Sequence, residues 1–146
     1  MSFKSHATSQ PNIYIGCDHR GYQIKTIIKD QFENVKDVNP DKKDTYDHPI
    51  IAHQVSKLVI ADDTENSVGI LICGSGIGMS IAANKNKGIR AALCRNVEEA
   101  ELSKRHNMAN ILCLSEKTEN VVDIVNIFIK KYYPEERHVR RVFMYE

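Results

Sequence analysis

The chain has 146 residues, of which 42% are hydrophobic and 27% charged, and its formal net charge is +1. This length fits one domain that buries about two-thirds of its unfolded surface, and the near-neutral charge excludes a general field that recruits nucleic acid or membranes. No apolar stretch approaches the roughly 18 residues that span a bilayer, and the first residues lack the apolar core of a signal peptide. We therefore expect a cytoplasmic protein without nucleic-acid or membrane partners.

The chain begins with a polar segment that shows no periodicity. Residues 1–11 are rich in serine and threonine, a composition that favours disorder at a chain end. No repeat or linker interrupts the remaining sequence. We predict a disordered N-terminal tail over residues 1–11 and a single domain over residues 12–146.

Apolar runs that are typical of strands alternate with segments whose apolar residues recur at helical spacing. The predicted strands are residues 12–16, 35–38, 68–73, 88–94 and 111–114. The predicted helices begin near residues 22, 47, 79, 96 and 118, and the last one runs as a single long helix to about residue 132. This alternation predicts an α/β fold, a doubly wound, Rossmann-like three-layer α/β/α domain with a five-stranded parallel sheet.

The third predicted strand ends in Cys73 and is followed by glycines at alternate positions, Gly74, Gly76 and Gly78. Glycine allows a ligand to approach the main chain closely, so such a loop can turn successive N–H groups toward one point. The loop therefore suits a phosphate, or an oxygen that becomes negative only during a reaction. Its spacing lacks the full dinucleotide fingerprint and the ending of a P-loop.

Two further features bear on function. The polar pair Asp18-His19 follows the first strand, and in parallel sheets ligands bind beyond the carboxyl ends of strands. We therefore expect the site at the edge that this pair shares with the glycine loop. The four cysteines form no C-x-x-C pair, which argues against a zinc site or a redox dithiol and predicts free thiols. Two other histidines, His48 and His53, are assigned to surface or capping roles.

Five short motifs, in this order along the chain, resemble the type B ribose-5-phosphate isomerases, which are grouped with the galactose-6-phosphate isomerase subunits. The motifs are Gly16-Cys17-Asp18-His19, Cys73-Gly74-Ser75-Gly76-Ile77-Gly78 with Ile81-Ala82-Ala83-Asn84-Lys85, Gly88-Ile89-Arg90-Ala91, Arg105-His106-Asn107, and Arg137-His138 with Arg141. The resemblance covers about residues 13–142. It implies the interconversion of ribose 5-phosphate and ribulose 5-phosphate through an enediolate, with no metal and no cofactor. It also implies a homodimer or dimer of dimers whose active sites use residues from two subunits.

The resemblance assigns a chemical role to each of four side chains. Cys73 would be the base that moves a proton between two sugar carbons, and Ser75 would shuttle a proton between the two oxygens. His106 would be the acid that opens the sugar ring, since imidazole exchanges protons near neutral pH. Asp18 would accept hydrogen bonds from sugar hydroxyls or assist ring opening. Some members carry a glutamate at the position that Met79 occupies in this chain. Methionine cannot take a proton, so the resemblance implies that the cysteine is the base here.

The resemblance also implies a set of substrate contacts. The main chain of Gly74, Ser75, Gly76, Ile77 and Gly78 would stabilise the developing negative oxygen. The side-chain contacts would be Asp18, His19, Asn107, Lys117, Arg137, His138 and Arg141. Independently of the family, Arg137 and Arg141 are four residues apart, a spacing that places two guanidinium groups on one helical face. Lys117 stands where members often have an arginine, and Met108 where they usually have an aspartate.

Alternative functions remain open from the sequence. Within enzymes, the same proton transfer would serve a six-carbon sugar phosphate such as allose or galactose 6-phosphate. A doubly wound domain also suits a nucleotide- or phosphate-binding module without catalysis. A third alternative is an RNA-binding or interaction protein that uses the basic cluster at residues 137–141, although one short basic patch supports it only weakly.

Overall fold

The computed structural model describes residues 10–41 and 47–145, so the predicted N-terminal tail falls outside it except for Gln10 and Pro11. Five parallel strands form one sheet in the order β2-β1-β3-β5-β4. The strands are β1 (Ile13–Cys17), β2 (Val35–Asp37), β3 (Val68–Cys73), β4 (Ala91–Leu93) and β5 (Ile111–Ser115). This sheet confirms the predicted five-stranded parallel arrangement.

Helices cover both faces of the sheet and bury two separate apolar clusters. The helices are α1 (Tyr22–Gln31), α2 (His48–Ala61), α3 (Ile77–Ala83), α4 (Val97–Asn107), α5 (Val121–Phe128) and α6 (Glu136–Val142). One cluster contains buried residues of α1, α4 and α5, and the other contains those of α2 and α3. The three predicted layers are therefore present. Within the described ranges, no helix is both long and apolar enough to cross a bilayer.

The strand order places a crevice between β1 and β3. After β1 the chain crosses to β2 through α1 on one face, whereas after β3 it crosses toward β4 through α3 on the other face. Right-handed crossovers in opposite directions force this change of face. The two connections diverge at the carboxyl ends of β1 and β3, where the Asp18 amide still donates to the carbonyl of Ile72 at 3.1 Å. Ligands of doubly wound folds bind at such a switch point.

The long final helix is shorter in the structure than its apolar stripe predicts. Asn120, and not Thr118, is the N-cap of α5, and Thr118 instead accepts a hydrogen bond from the Ser115 amide at 2.9 Å. At the other end, the Asn66 side chain donates to the carbonyl of Ile129 at 3.1 Å. The helix ends at Phe128 with Ile129 as its C-cap, and the basic cluster forms the separate helix α6.

The edge strand β4 is also shorter than predicted. The Asn110 side chain accepts a hydrogen bond from the Arg90 amide at 2.8 Å and donates to the Gly88 carbonyl at 2.9 Å. Gly88 itself has φ of +88°. These contacts hold residues 88–90 in a turn, so only three residues pair as a strand with β5.

Candidate active site

Cys73 is the last residue of β3, and its thiol lies inside the glycine loop. The sulfur accepts a hydrogen bond from the Gly76 amide at 3.2 Å, and the Ser75 hydroxyl accepts one from the Ile77 amide at 3.1 Å. Two of the amides that were predicted to face a ligand are therefore bound within the loop in this structure. Cys73 as a whole residue is 5% exposed, so only a small part of it is open to a substrate.

The other three thiols lie in environments that disfavour ionisation. Burial raises the pKa of Cys17 and of Cys113, and it raises that of Cys94 to about 11. All four cysteines are free. Since a thiolate is the reactive form of cysteine, these three groups are poor candidates for chemistry at neutral pH.

The turn after β1 places a carboxylate at the crevice. Asp18 accepts a hydrogen bond from the Arg20 amide at 2.8 Å, which closes the turn. Behind it, the Asn39 side chain holds both backbone groups of Cys17, accepting from the amide at 3.3 Å and donating to the carbonyl at 2.6 Å. The next residue, His19, is exposed. Asp18 and His19 thus lie at the same edge of the sheet as Cys73.

The turn after β5 completes this edge. The amide of Glu116 donates to the carbonyl of Cys73 at 3.0 Å, and the amide of Lys117 donates to the Ser115 hydroxyl at 3.1 Å. Lys117 is exposed there. The Glu116 carboxylate forms an ion pair with Arg20, with Nε and Oε2 2.6 Å apart. Sequence reasoning missed this pair, because the two residues are far apart in the chain and no motif connects them.

His48 is a second residue that sequence reasoning missed. It begins α2 and is half-buried, and a Cβ atom at Gly78 would lie 2.6 Å from its Nε2 atom. The ring therefore packs directly on the glycine loop, where a free surface or capping role was expected. The available signal was Pro49, which marks a helix start. That helix start follows β2 and so lies at the carboxyl edge of the sheet.

A second group of predicted site residues lies on α4 and α6. His106 and Asn107 are exposed at the end of α4, and the His138 ring stacks on that of His106 with centroids 4.2 Å apart. Burial lowers the pKa of His138, and the neighbouring cationic groups act in the same direction. The Tyr145 hydroxyl donates to Asn107 Oδ1 at 2.5 Å.

Two exposed arginines flank the buried face of α6. Arg137 and Arg141 both lie on this helix, as the predicted spacing requires, and the Nε atom of Arg137 is 3.0 Å from a carboxylate oxygen of Glu135. A cleft of about 530 Å³ reaches the end of this helix at Val142, and it is also lined by Asn107, Tyr145 and the segment 86–92.

The group of residues around Cys73 and the group on α4 and α6 lie at opposite edges of the sheet within one chain. Helix α4 runs back from the carboxyl edge, and three residues separate its end from the start of β5 at Ile111. Ile111 pairs with Gly69 of β3. Cys73 pairs with Ser115 at the far end of the same ladder, roughly 13 Å along the strand. A single chain therefore brings Cys73, the glycine loop, Asp18, His19 and Lys117 together. It does not add His106, Asn107, Arg137, His138 or Arg141 to them.

The chain is similar to characterised proteins over nearly its whole length. The family model described as Ribose/Galactose Isomerase matches residues 13–144. Ribose-5-phosphate isomerase B of Escherichia coli is 37% identical over 137 residues, which cover 89% of this chain and 91% of that protein.

Solved structures have the same fold. The type B ribose 5-phosphate isomerase of Leishmania infantum superposes with a TM-score of 0.83 at 38% identity, covering 93% of this chain and 94% of that one. Ribose-5-phosphate isomerase B from Mycoplasma genitalium with bound ribulose-5-phosphate gives a TM-score of 0.78 at 39% identity, covering 91% and 92%. These similarities confirm the predicted fold, the family resemblance and the prediction of an isomerase. The chain belongs to the ribose/galactose isomerase family.

Proposed function

We propose that this protein interconverts ribose 5-phosphate and ribulose 5-phosphate. The observation that carries the proposal is the position of Cys73, a free thiol at the switch point of the sheet inside a loop of main-chain donors. The related structure from Mycoplasma genitalium, 39% identical to this chain, holds ribulose-5-phosphate. An aldose–ketose isomerase needs a base beside such donors, because the proton transfer places negative charge on a sugar oxygen.

In the proposed reaction, the thiolate of Cys73 removes the proton from carbon 2 of the open-chain aldose. The electron pair of that C–H bond forms the carbon–carbon double bond of the enediolate, and the carbonyl oxygen on carbon 1 takes the negative charge. Loop amides not already bound within the loop stabilise this oxygen, and Ser75 moves a proton from the oxygen on carbon 2 to it. The thiol then returns its proton to carbon 1, which gives the ketose.

We infer that a second copy of the chain supplies the remaining groups in a homodimer or dimer of dimers. His106 would open the ring and Asn107 would hold the substrate, while Arg137, His138 and Arg141 would bind the phosphate of a substrate seated in the partner's glycine loop. The separation of the two groups in one chain supports this inference. So do the exposed apolar residues beside each group, Ile77 and Ile81 on α3 and Phe143 and Met144 after α6, which are 54–78% exposed.

Asp18 and His19 complete the proposed substrate contacts from the chain that provides Cys73, as sugar-hydroxyl ligands. Lys117 lies at the same edge and adds a positive charge for the phosphate. A lysine is a point charge without the planar fork of arginine, so its contribution is smaller than that of either arginine.

A second candidate substrate is a six-carbon sugar phosphate, because the matching family model includes galactose isomerases by its description. The proton transfer is identical for both, so only the depth of the assembled pocket separates them. Turnover of ribose 5-phosphate, allose 6-phosphate and galactose 6-phosphate by the wild-type protein distinguishes the two candidates. A higher kcat/KM for either hexose phosphate would overturn the pentose assignment.

The role of Cys73 is tested by Cys73→Ala, with Cys17→Ala as the matched control. Both residues end neighbouring strands, but the Cys17 side chain packs in the cluster on the other face of the sheet. We expect Cys73→Ala to lower kcat by about 100-fold to 10,000-fold and to stop exchange of the substrate proton with solvent. Cys17→Ala should keep its activity. A folded Cys73→Ala protein within threefold of wild-type kcat would refute the assignment.

A further inference from the structure

An ion pair spans the end of β3, directly above the glycine loop. Arg20 lies in the turn after β1 and Glu116 in the turn after β5, and their Nε and Oε2 atoms are 2.6 Å apart. Gly74 lies beneath them, where a Cβ atom would be 3.4 Å from Glu116 Oε2 and 3.9 Å from Arg20 Cγ. Both side chains therefore lie beside the open face of the residue that follows Cys73, although neither residue was predicted to contribute to the site.

The backbone of Glu116 also orients the peptide bond between Cys73 and Gly74. Its amide donates to the carbonyls of both residues, at 3.0 Å and 3.3 Å. In a trans peptide the N–H points opposite to the C=O. With the Cys73 carbonyl directed toward β5, the Gly74 N–H is directed toward β1 and thus toward the crevice that contains Asp18.

The negative charge of the Glu116 carboxylate would oppose the proposed reaction at this position unless a positive charge compensated it. The side chain is 26% exposed, and its Oε2 atom is shielded from solvent. Within the described residues that oxygen accepts no hydrogen bond, and its charge is met by the ion pair with Arg20. A bare carboxylate there would repel the negative oxygen that the proposed reaction places in the loop. The bond to Glu116 raises the pKa of Arg20, so the guanidinium stays charged and the compensation persists.

We propose that the Arg20–Glu116 pair is a positioning element of the candidate active site, in which Arg20 neutralises Glu116 and holds its carboxylate against Gly74, so that the loop can stabilise an anion. The inference rests on the proposed function and deepens it, since it explains how a carboxylate is tolerated beside the reacting oxygen. Neither residue needs to touch the substrate. An ordinary surface ion pair, the competing explanation, would contribute little to stability and nothing to catalysis.

A double-mutant cycle tests the proposal. Arg20→Ala leaves the carboxylate uncompensated, and we expect kcat to fall by about 10-fold to 100-fold with a much smaller change in KM, because the repulsion appears only when charge develops. Adding Glu116→Gln to Arg20→Ala should restore kcat to within about threefold of wild type, since the offending charge is gone. Arg95→Ala is the matched control: it breaks a comparable surface ion pair with Glu99, whose atoms are 2.8 Å apart and which has no role in the proposed reaction.

A binding measurement supplies a second readout. The probe is a hydroxamate analogue of the enediolate that carries a terminal phosphate, titrated by calorimetry alongside inorganic phosphate. We expect Arg20→Ala to weaken hydroxamate binding by about 10-fold to 100-fold and phosphate binding by less than about threefold, with the double variant restored. If the ion pair had only a structural role, Arg20→Ala would weaken the binding of both probes or of neither.

The outcomes separate this inference from the proposed function. A wild-type protein that neither turns over sugar phosphates nor binds the hydroxamate rejects the proposed function and the inference with it. An active wild type whose Arg20→Ala variant is unchanged rejects the inference alone. So does a double variant that is no better than Arg20→Ala, because the loss would then not arise from the charge of Glu116.

Discussion

At the scale of single residues, Gly76 determines whether the loop beside Cys73 can close. Its φ is +80°, in the left-handed region, and a Cβ atom there would lie 2.5 Å from Leu93 Cδ1. A side chain would also come within 3.1 Å of the Leu114 backbone. Both the backbone conformation and the available space therefore demand glycine at this position.

Gly76→Ala should destabilise the protein by about 2–4 kcal/mol, combining the cost of a left-handed residue with that of overpacking. Gly88→Ala is the matched control, because Gly88 also has a positive φ, of +88°, but a Cβ atom there would meet nothing closer than 3.9 Å. We expect a loss of only about 1–2 kcal/mol for the control. Urea unfolding measures both, and equal losses would contradict the steric argument.

Lys104 carries a buried charge that makes stability depend on pH. Its side chain packs on the Phe128 ring, with Nζ 4.9 Å from the centroid, and burial together with nearby Arg90 lowers its pKa to about 8. The unfolded chain, with an ordinary lysine, then binds more protons than the folded one between about pH 8 and pH 10.5. Stability from this residue should therefore rise with pH across that window.

Lys104→Met removes this cost and should stabilise the protein by about 1–3 kcal/mol at pH 7. The advantage of the variant should shrink as the pH rises from 8 and vanish above about pH 10.5, where the lysine is neutral in both states. Free energies of unfolding of the two proteins at pH 7 and at pH 10 measure the difference. A variant less stable than wild type at pH 7 would show that the contact of the ammonium with Phe128 outweighs its desolvation.

At the scale of elements, the carboxyl end of β1 pairs with β3 on one side, while on its other side a side chain takes the place of a strand. β2 ends at Asp37, and the Asn39 carboxamide takes over the pairing by bonding both backbone groups of Cys17. Lys25 is fully buried and secures this arrangement by donating to the Asn39 carbonyl at 2.7 Å. The position of the Asp18 turn therefore depends on a side chain from the segment that follows β2.

Asn39→Ala should cost about 1–3 kcal/mol of stability, because it leaves a buried amide and carbonyl without partners. It should also lower kcat, since the Asp18 turn loses its support. Asn84→Ala is the matched control: Asn84 makes the same two bonds to Ala91, at 2.8 Å and 3.0 Å, but in an exposed position where water can replace them. Thermal unfolding and an activity assay compare the two variants. A larger loss for Asn84→Ala would contradict this explanation.

At the scale of the whole molecule, the separation of the two groups predicts complementation between inactive variants. If the protein forms the proposed homodimer, Cys73→Ala and His106→Ala, denatured together and refolded, should regain about a quarter of wild-type activity, because half the dimers are then mixed and each has one intact site. Cys73→Ala mixed with Asp18→Ala should regain nothing, since both changes fall in the same group. If light scattering showed that dimers had formed and neither mixture regained activity, the proposal of active sites shared between two subunits would be refuted.

Much of the fold could be predicted because it follows from local patterns. Apolar runs of strand length alternate with helical spacing, and this alternation alone indicates a parallel sheet covered on both faces. The N-terminus of α4 lies near residue 96, as predicted: the Asn96 side chain accepts a hydrogen bond from the amide of Glu99, three residues further on, at 2.8 Å. Such features require contacts only between residues close together in the chain.

Predictions failed where a distant residue intervened. The apolar stripe of α5 continues beyond Phe128, but the helix ends there, and the side chain of the distant Asn66 bonds the carbonyl of the C-cap residue Ile129. His48 offered no pattern of its own, and only the packing of α2 on α3 brings its ring to the loop. Local periodicity carries no information about either contact.

The sequence by itself determined the alternation of strands and helices, the glycine loop after Cys73 and the edge of the sheet where it lies, because each depends on spacing within a short segment. Only the tertiary structure decided the strand order, which brings Arg20 and Glu116 together above Gly74 and leaves His106 at the opposite edge. The physical reason is that strand order and side-chain contacts arise from packing between segments far apart in the chain, which no local pattern encodes.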